Sequence, residues 1–164
     1  MGSSSQSGAE SNSVWHNSNR CSHSENDYKI TKVCHVSVQF LPGFVEGAAV
    51  AGKWLTYIGT LGIAAACNGG IKNPTHDVVE IYYTCDKCGK KVTMTAELSK
   101  KGKEFSYGYY QHDYGVKRQI LPNKKINVAE ARRLFNNMRG SYDIINYNCG
   151  HFASEYYYKL YYSY

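Results

Sequence analysis

Two short stretches of this sequence hold residues whose types and spacing could do chemistry. The first is Tyr147-Asn148-Cys149-Gly150-His151-Phe152. Asn148 is a natural N-cap, so Cys149 is expected in the first turn of a helix, among unpaired backbone N–H groups at the positive end of the helix dipole. Both features favour thiolate over thiol, so the Cys149 pKa is expected to fall and its nucleophilicity at neutral pH to rise. A thiolate nucleophile also needs an imidazole within hydrogen-bond reach. His76, at the head of an upstream strand, could supply it from a sheet facing that helix. Position alone leaves open that Cys149 is a small buried hydrophobe.

The second stretch is Cys85-Asp86-Lys87-Cys88-Gly89-Lys90, which reads as a zinc knuckle at a hairpin tip. A closed tetrahedral site needs two further ligands. The ready supplements are Cys21-x-His23 and the adjacent pair Cys34-His35, while Cys67 stands alone. The alternative is two thiols flanking a turn, and on the sequence no metal ligand and no cofactor is assigned.

The elements that must position these residues follow from periodicity. Residues 33–40 and 77–84 are β-branched and aromatic, and 92–98 returns after the Cys85–Lys90 turn as the second arm of a hairpin. A further strand is expected at 104–110, a basic loop over 111–126, and a short strand at 142–145. Asn127 caps a helix whose Val128, Ala131, Leu134, Phe135 and Met138 share one face, with Glu130 completing a capping box and Gly140 as the stop. The final helix runs from Cys149 with Phe152, Tyr156, Tyr157 and Leu160 inward. These elements predict an α+β fold, an antiparallel sheet packed on helices.

Residues 1–27 are rich in Ser and Asn and lack apolar periodicity, so they read as a flexible tail before a single domain over 28–164. The start carries no basic or apolar leader, which points to the cytosol and to cysteines as thiols rather than bridges. Residues 44–67 form an apolar helical segment with only Glu46 and Lys53 charged, expected to be buried or laid on a membrane surface. The chain of 164 residues has a formal charge of +6, and its basic excess lies in residues 87–133, with twelve Lys and Arg against four acids. A solvated face explains that excess better than a nucleic-acid footprint, because no recognition motif accompanies it.

A His at the head of a strand, followed much later by Asn-Cys-x-His-Phe at a helix start, resembles the circularly permuted papain-like superfamily. That group includes the PPPDE peptidases and the lecithin:retinol acyltransferase-like enzymes, with the NlpC-type hydrolases as unpermuted relatives. The likeness covers residues 74–162 and rests on His76 with Val78 to Ile81, on Lys103 to Gly108, and on Tyr142 to Phe152. It implies a permuted papain-like architecture with Cys149 as nucleophile and His76 as its base. The amides opening the Cys149 helix are then expected as oxyanion donors. His151 is expected to be structural. The acyltransferase-like members usually place Trp after the strand His, where this chain has Asp77. A third residue to orient the imidazole is not assigned: Glu97 and Ser99 are expected near His76 across the hairpin, and His112 and Asp113 follow the next strand.

The function expected from this resemblance is thiol hydrolysis of an amide or isopeptide bond, in the manner of a peptidase or deubiquitinase. One alternative is a lipid acyltransferase or phospholipase that contacts membranes through 44–67. Another is a zinc-knuckle or nucleic-acid-binding module without turnover. The implied partner is a protein or lipid acyl substrate rather than nucleic acid.

Overall fold

Runs of alternating β-branched and aromatic residues become long antiparallel strands. A computed structural model describes residues 15–39, 75–99, 101–110, 115–122, 126–143 and 145–163. Strands β1 (Trp15–Asn17), β2 (Tyr28–Gln39), β3 (Thr75–Cys85), β4 (Lys91–Ser99), β5 (Gly102–Tyr110) and β6 (Val116–Ile120) form one sheet in the order β1-β5-β4-β3-β2-β6. Every pairing in it is antiparallel. Helices α1 (Val128–Asn136) and α2 (Cys149–Tyr162) complete an α+β fold.

Alternation along the strands separates two apolar sets. Val33, Val79, Ile81, Met94 and Ala96 pack against Ala131, Phe135, Phe152, Tyr156 and Leu160 of the two helices. Each large side chain buried this way contributes roughly 1.5–3 kcal/mol. The rings of Phe135, Phe152 and Tyr156 meet one another at centroid distances of 5.8 to 6.1 Å. The opposite sheet face carries a smaller cluster of Cys34, Val36, Val38, Val78 and Tyr110, with Trp15 and Tyr82 against it.

Several sequence expectations are corrected. Residues 15–27 belong to the fold, whereas residues 1–14 lie outside the described residues. Trp15 to Asn17 pair with Tyr110 to Gly108, and the Trp15 ring lies where a side chain at Gly108 would be. A 3-10 turn at Glu25–Asp27 sets the Glu25 carboxylate against Arg132 of α1, with N–O distances of 2.6 and 3.0 Å. These are tertiary contacts that a polar composition does not reveal.

The expected basic loop contains β6, which adds to β2 as an edge strand. Gly115 admits this approach: its φ is +97°, and a Cβ there would collide with the Ser37 carbonyl. The expected strand at 142–145 is instead a tight turn. Asp143 and Tyr147 exchange backbone hydrogen bonds, and the Asp143 carboxylate accepts from the N–H groups of Ile145 and Asn146.

Helix α1 ends at Asn136, before Gly140, and Lys103 of β5 reaches over its last turn. Its ammonium donates to the carbonyls of Phe135, Asn136 and Met138 at 2.6 to 2.9 Å, placing a cation at the negative end of the helix. Asn127 caps α1 as expected, but Glu130 turns to Arg133 instead of closing the capping box. The apolar segment 44–67 lies outside the described residues, and among those described no helix is long and apolar enough to cross a membrane.

Candidate active site

Local sequence sets the position of Cys149. The Asn148 side chain accepts hydrogen bonds from the N–H groups of Gly150 and His151, at 3.0 and 3.2 Å. His151 Nδ1 accepts in return from the Asn148 N–H at 3.3 Å, closing a reciprocal cap. Cys149 is therefore the first residue of α2, and it is buried. His151 is a capping residue, in line with its expected structural role. Of the amides expected as oxyanion donors, those of Gly150 and His151 are engaged by Asn148.

The sheet brings His76 to Cys149 from far upstream in the sequence. The β2–β3 ladder runs on to Val38–His76 and Gln39–Thr75, and the β4–β5 ladder to Ser99–Gly102. The β3–β4 ladder stops earlier, at Val79–Ala96. The two central strands thus part at this end, where His76 and Glu97 meet. His76 Nε2 donates to Glu97 Oε2 at 2.7 Å, and the imidazole also hydrogen-bonds the Cys149 thiol. Tyr110 donates its hydroxyl to the same carboxylate at 3.2 Å.

His76 is fully buried, and burial alone would lower its pKa. The hydrogen bonds to Cys149 and Glu97, with the negative charge of both, overcome that penalty and raise it to about 9. Two acceptors on one imidazole favour the doubly protonated ring, because imidazolium donates from both nitrogens.

Asp77 occupies the other side of the strand head. Burial pushes its carboxyl up, but hydrogen bonds from His35, Lys117 and Ser37 hold it well below the usual carboxylate range. The distances are 3.3 Å to His35, 2.6 Å to Lys117 and 2.7 Å to Ser37. A Cβ on Gly150 would come within 3.3 Å of the Asp77 carboxylate, so this anion packs directly against the first turn of α2.

Of the residues singled out by sequence, Cys149 and His76 are brought together. Ser99 is used in the β4–β5 turn, where its hydroxyl contacts Gly102 O and Lys101 N. His112 and Asp113 lie outside the described residues. Glu97 was considered without a role. Extending the β3–β4 register would set Val78 opposite Glu97, making Glu97 the diagonal same-face neighbour of His76, and that hairpin arithmetic was the available signal.

A second group of side chains converges elsewhere. The ligand atoms of Cys21, His23, Cys85 and Cys88 all lie within 4.8 Å of one another. Cys34 and His35 take no part: the Cys34 thiol contacts Gln119 and His35 contacts Asp77. Cys67 lies outside the described residues. The sequence left this stretch without an assigned metal ligand, and the four groups form a set that could hold one.

Part of the basic excess is paired within the chain. Lys103 caps α1, Lys117 pairs with Asp77, Arg132 with Glu25 and Arg133 with Glu130. Arg118 stacks on Tyr158, with 4.9 Å from its guanidinium carbon to the ring centroid.

No family model matches the chain, and neither curated proteins nor solved structures provide a match.

Proposed function

We propose that this chain is a cysteine-dependent hydrolase of amide or isopeptide bonds, with Cys149 as nucleophile, His76 as acid and base, and Glu97 orienting the imidazole. The observation carrying the reading is that one buried imidazole bridges a carboxylate and the thiol of a helix-initial cysteine. Thiol, imidazole and orienting acid within hydrogen-bond reach form the constellation that nucleophilic catalysis requires. The chain order, His on a strand before Cys on a helix, agrees with the likeness to the permuted papain-like superfamily.

The reaction follows from the pair. The Cys149 thiolate attacks the carbonyl carbon, and the electron pair returns from oxygen as the C–N bond breaks. His76 gives its proton to the leaving amine, and a thioester to Cys149 remains. His76, now neutral, takes a proton from water. The hydroxide attacks the thioester, the acid leaves, and Cys149 returns as thiolate beside imidazolium. Glu97 stabilises the protonated ring and holds its orientation throughout.

A lipid-acting reading has one observation in its favour. β2 ends at Gln39 and β3 begins at Thr75, next to His76, and the sequence between them includes the apolar stretch 44–67. In that reading the carbonyl belongs to an acyl ester and the acceptor of the acyl group is an amine, an alcohol or water.

The test is labelling with a cysteine-directed electrophile, followed by mass spectrometry. Cys149 should be the site labelled fastest at neutral pH, and His76→Ala should abolish that preference. Equal labelling in wild type and His76→Ala would remove the dyad. Turnover of an amide or isopeptide panel against a phospholipid ester panel then separates the two substrate classes.

A further inference from the structure

Cys21, His23, Cys85 and Cys88 come from two places far apart in the sequence, the stretch after β1 and the β3–β4 turn. Cys21 Sγ and Cys85 Sγ lie 3.3 and 3.4 Å from the same atom, His23 Nδ1. Ligand atoms around a tetrahedral zinc ion, with Zn–S near 2.3 Å and Zn–N near 2.0 Å, stand roughly 3.5–4 Å apart. The four groups are therefore within small side-chain adjustments of that arrangement.

The surroundings are those of bound thiolates. The Tyr28 hydroxyl lies 2.7 Å from Cys21 Sγ. Backbone N–H groups of His23 and Lys90 are directed at the sulfurs of Cys21 and Cys88. Gly89, directly after the second turn cysteine, has φ +71°, which lets the chain fold back under the sulfurs. The Asp86 N–H donates to the Asp27 carbonyl at 2.8 Å and fixes the turn against the N-terminal stretch. Hydrogen bonds of this kind orient metal-ligating side chains and stabilise sulfur as thiolate.

We propose that Cys21, His23, Cys85 and Cys88 bind one zinc ion as a closed Cys3His site whose role is structural. Three thiolates and one imidazole leave no open coordination position for substrate or water, unlike catalytic zinc. Cys85 and His76 lie at opposite ends of β3, nine residues and about 30 Å apart at 3.3 Å per residue. The metal therefore takes no part in chemistry at Cys149. It staples the stretch carrying β1 and Glu25 to the central hairpin, and this inference stands independently of the hydrolase reading.

The experiment uses the full chain, purified under reducing conditions from zinc-supplemented cells. Metal analysis should find one zinc per chain. Exchange with Co(II) should give the visible absorption of a tetrahedral thiolate-rich site. Cys88 is exposed, so Cys88→Ser should fold and lose the stoichiometric zinc, whereas Cys34→Ser should retain it. Tyr28→Phe should keep the site but weaken zinc about 10–100-fold, the usual worth of a partner to a ligand. Removal of zinc by chelator should lower the melting temperature and leave the neutral-pH alkylation rate of Cys149 in the folded fraction unchanged. A folded wild-type chain with well under one zinc and no cobalt spectrum overturns the proposal, as does a disulfide among these cysteines under the same conditions.

Discussion

Glu97 Oε2 lies 2.7 Å from Nε2 of His76, at the point where β3 and β4 cease to pair. The carboxylate holds the ring and stabilises its positive charge, so Glu97→Gln should slow Cys149 chemistry while leaving the thiol in place. The expected loss of turnover is roughly 10²–10⁴-fold, the typical worth of positioned acid–base catalysis. Alkylation of Cys149 against pH provides a second readout: its thiolate plateau should move to higher pH in Glu97→Gln. An unchanged profile would give Glu97 no more than a packing role.

Stability should fall as the medium becomes alkaline. His76 has its pKa raised from 6.5 to about 9 in the folded chain, so folding binds a proton more tightly at this ring. That contribution is fully present below pH 6.5 and is lost as pH rises through about 9. Urea midpoints measured across this window should decline in wild type and decline less in His76→Asn.

Asn148 caps the helix that Cys149 opens. Asn148→Ala frees two first-turn amides and should cost about 0.5–2 kcal/mol of stability. Chemical denaturation measures that cost. Labelling of Cys149 should also slow, since the cap fixes the orientation of the first turn. Asn148→Asp should recover most of the stability, because aspartate is an equally good cap and its charge suits the helix N-terminus.

Phe152 is fully buried between the sheet and α1, one turn after Cys149. Phe152→Ala leaves a cavity among Phe135, Tyr156 and the strand residues and should destabilise the fold by about 3–5 kcal/mol. Phe152→Leu should cost clearly less. Thermal unfolding of the two variants beside wild type distinguishes loss of packing from loss of a specific ring contact.

What could be read along the chain and what could not divides at the range of the interaction. The strands near 33–40, 77–84, 92–98 and 104–110 were legible because period-two alternation is local, and the observed strands are longer by only a few residues in most cases. The cap at Asn148 and the inward set Phe152, Tyr156, Tyr157 and Leu160 were legible for the same reason. Strand β6 was not, since Val116-Lys117-Arg118-Gln119-Ile120 has too little apolar content to announce itself. It is made a strand by the free edge of β2 and the close approach at Gly115. The contact of Lys103 with the carbonyls ending α1 likewise comes from a different element, which no helix-stop pattern could show.

The sequence by itself determined that a cysteine opens a capped helix, that a histidine opens a strand, and that two cysteines flank a hairpin turn. Each depends on neighbours a few residues apart. The tertiary structure alone decided that Glu97 joins His76, and that Cys21 and His23, rather than Cys34 and His35, meet Cys85 and Cys88. Those partnerships depend on strand register and on where the β3–β4 ladder stops. Both are set by packing of the whole sheet against α1 and α2, a balance of many weak contacts that no short stretch of sequence encodes.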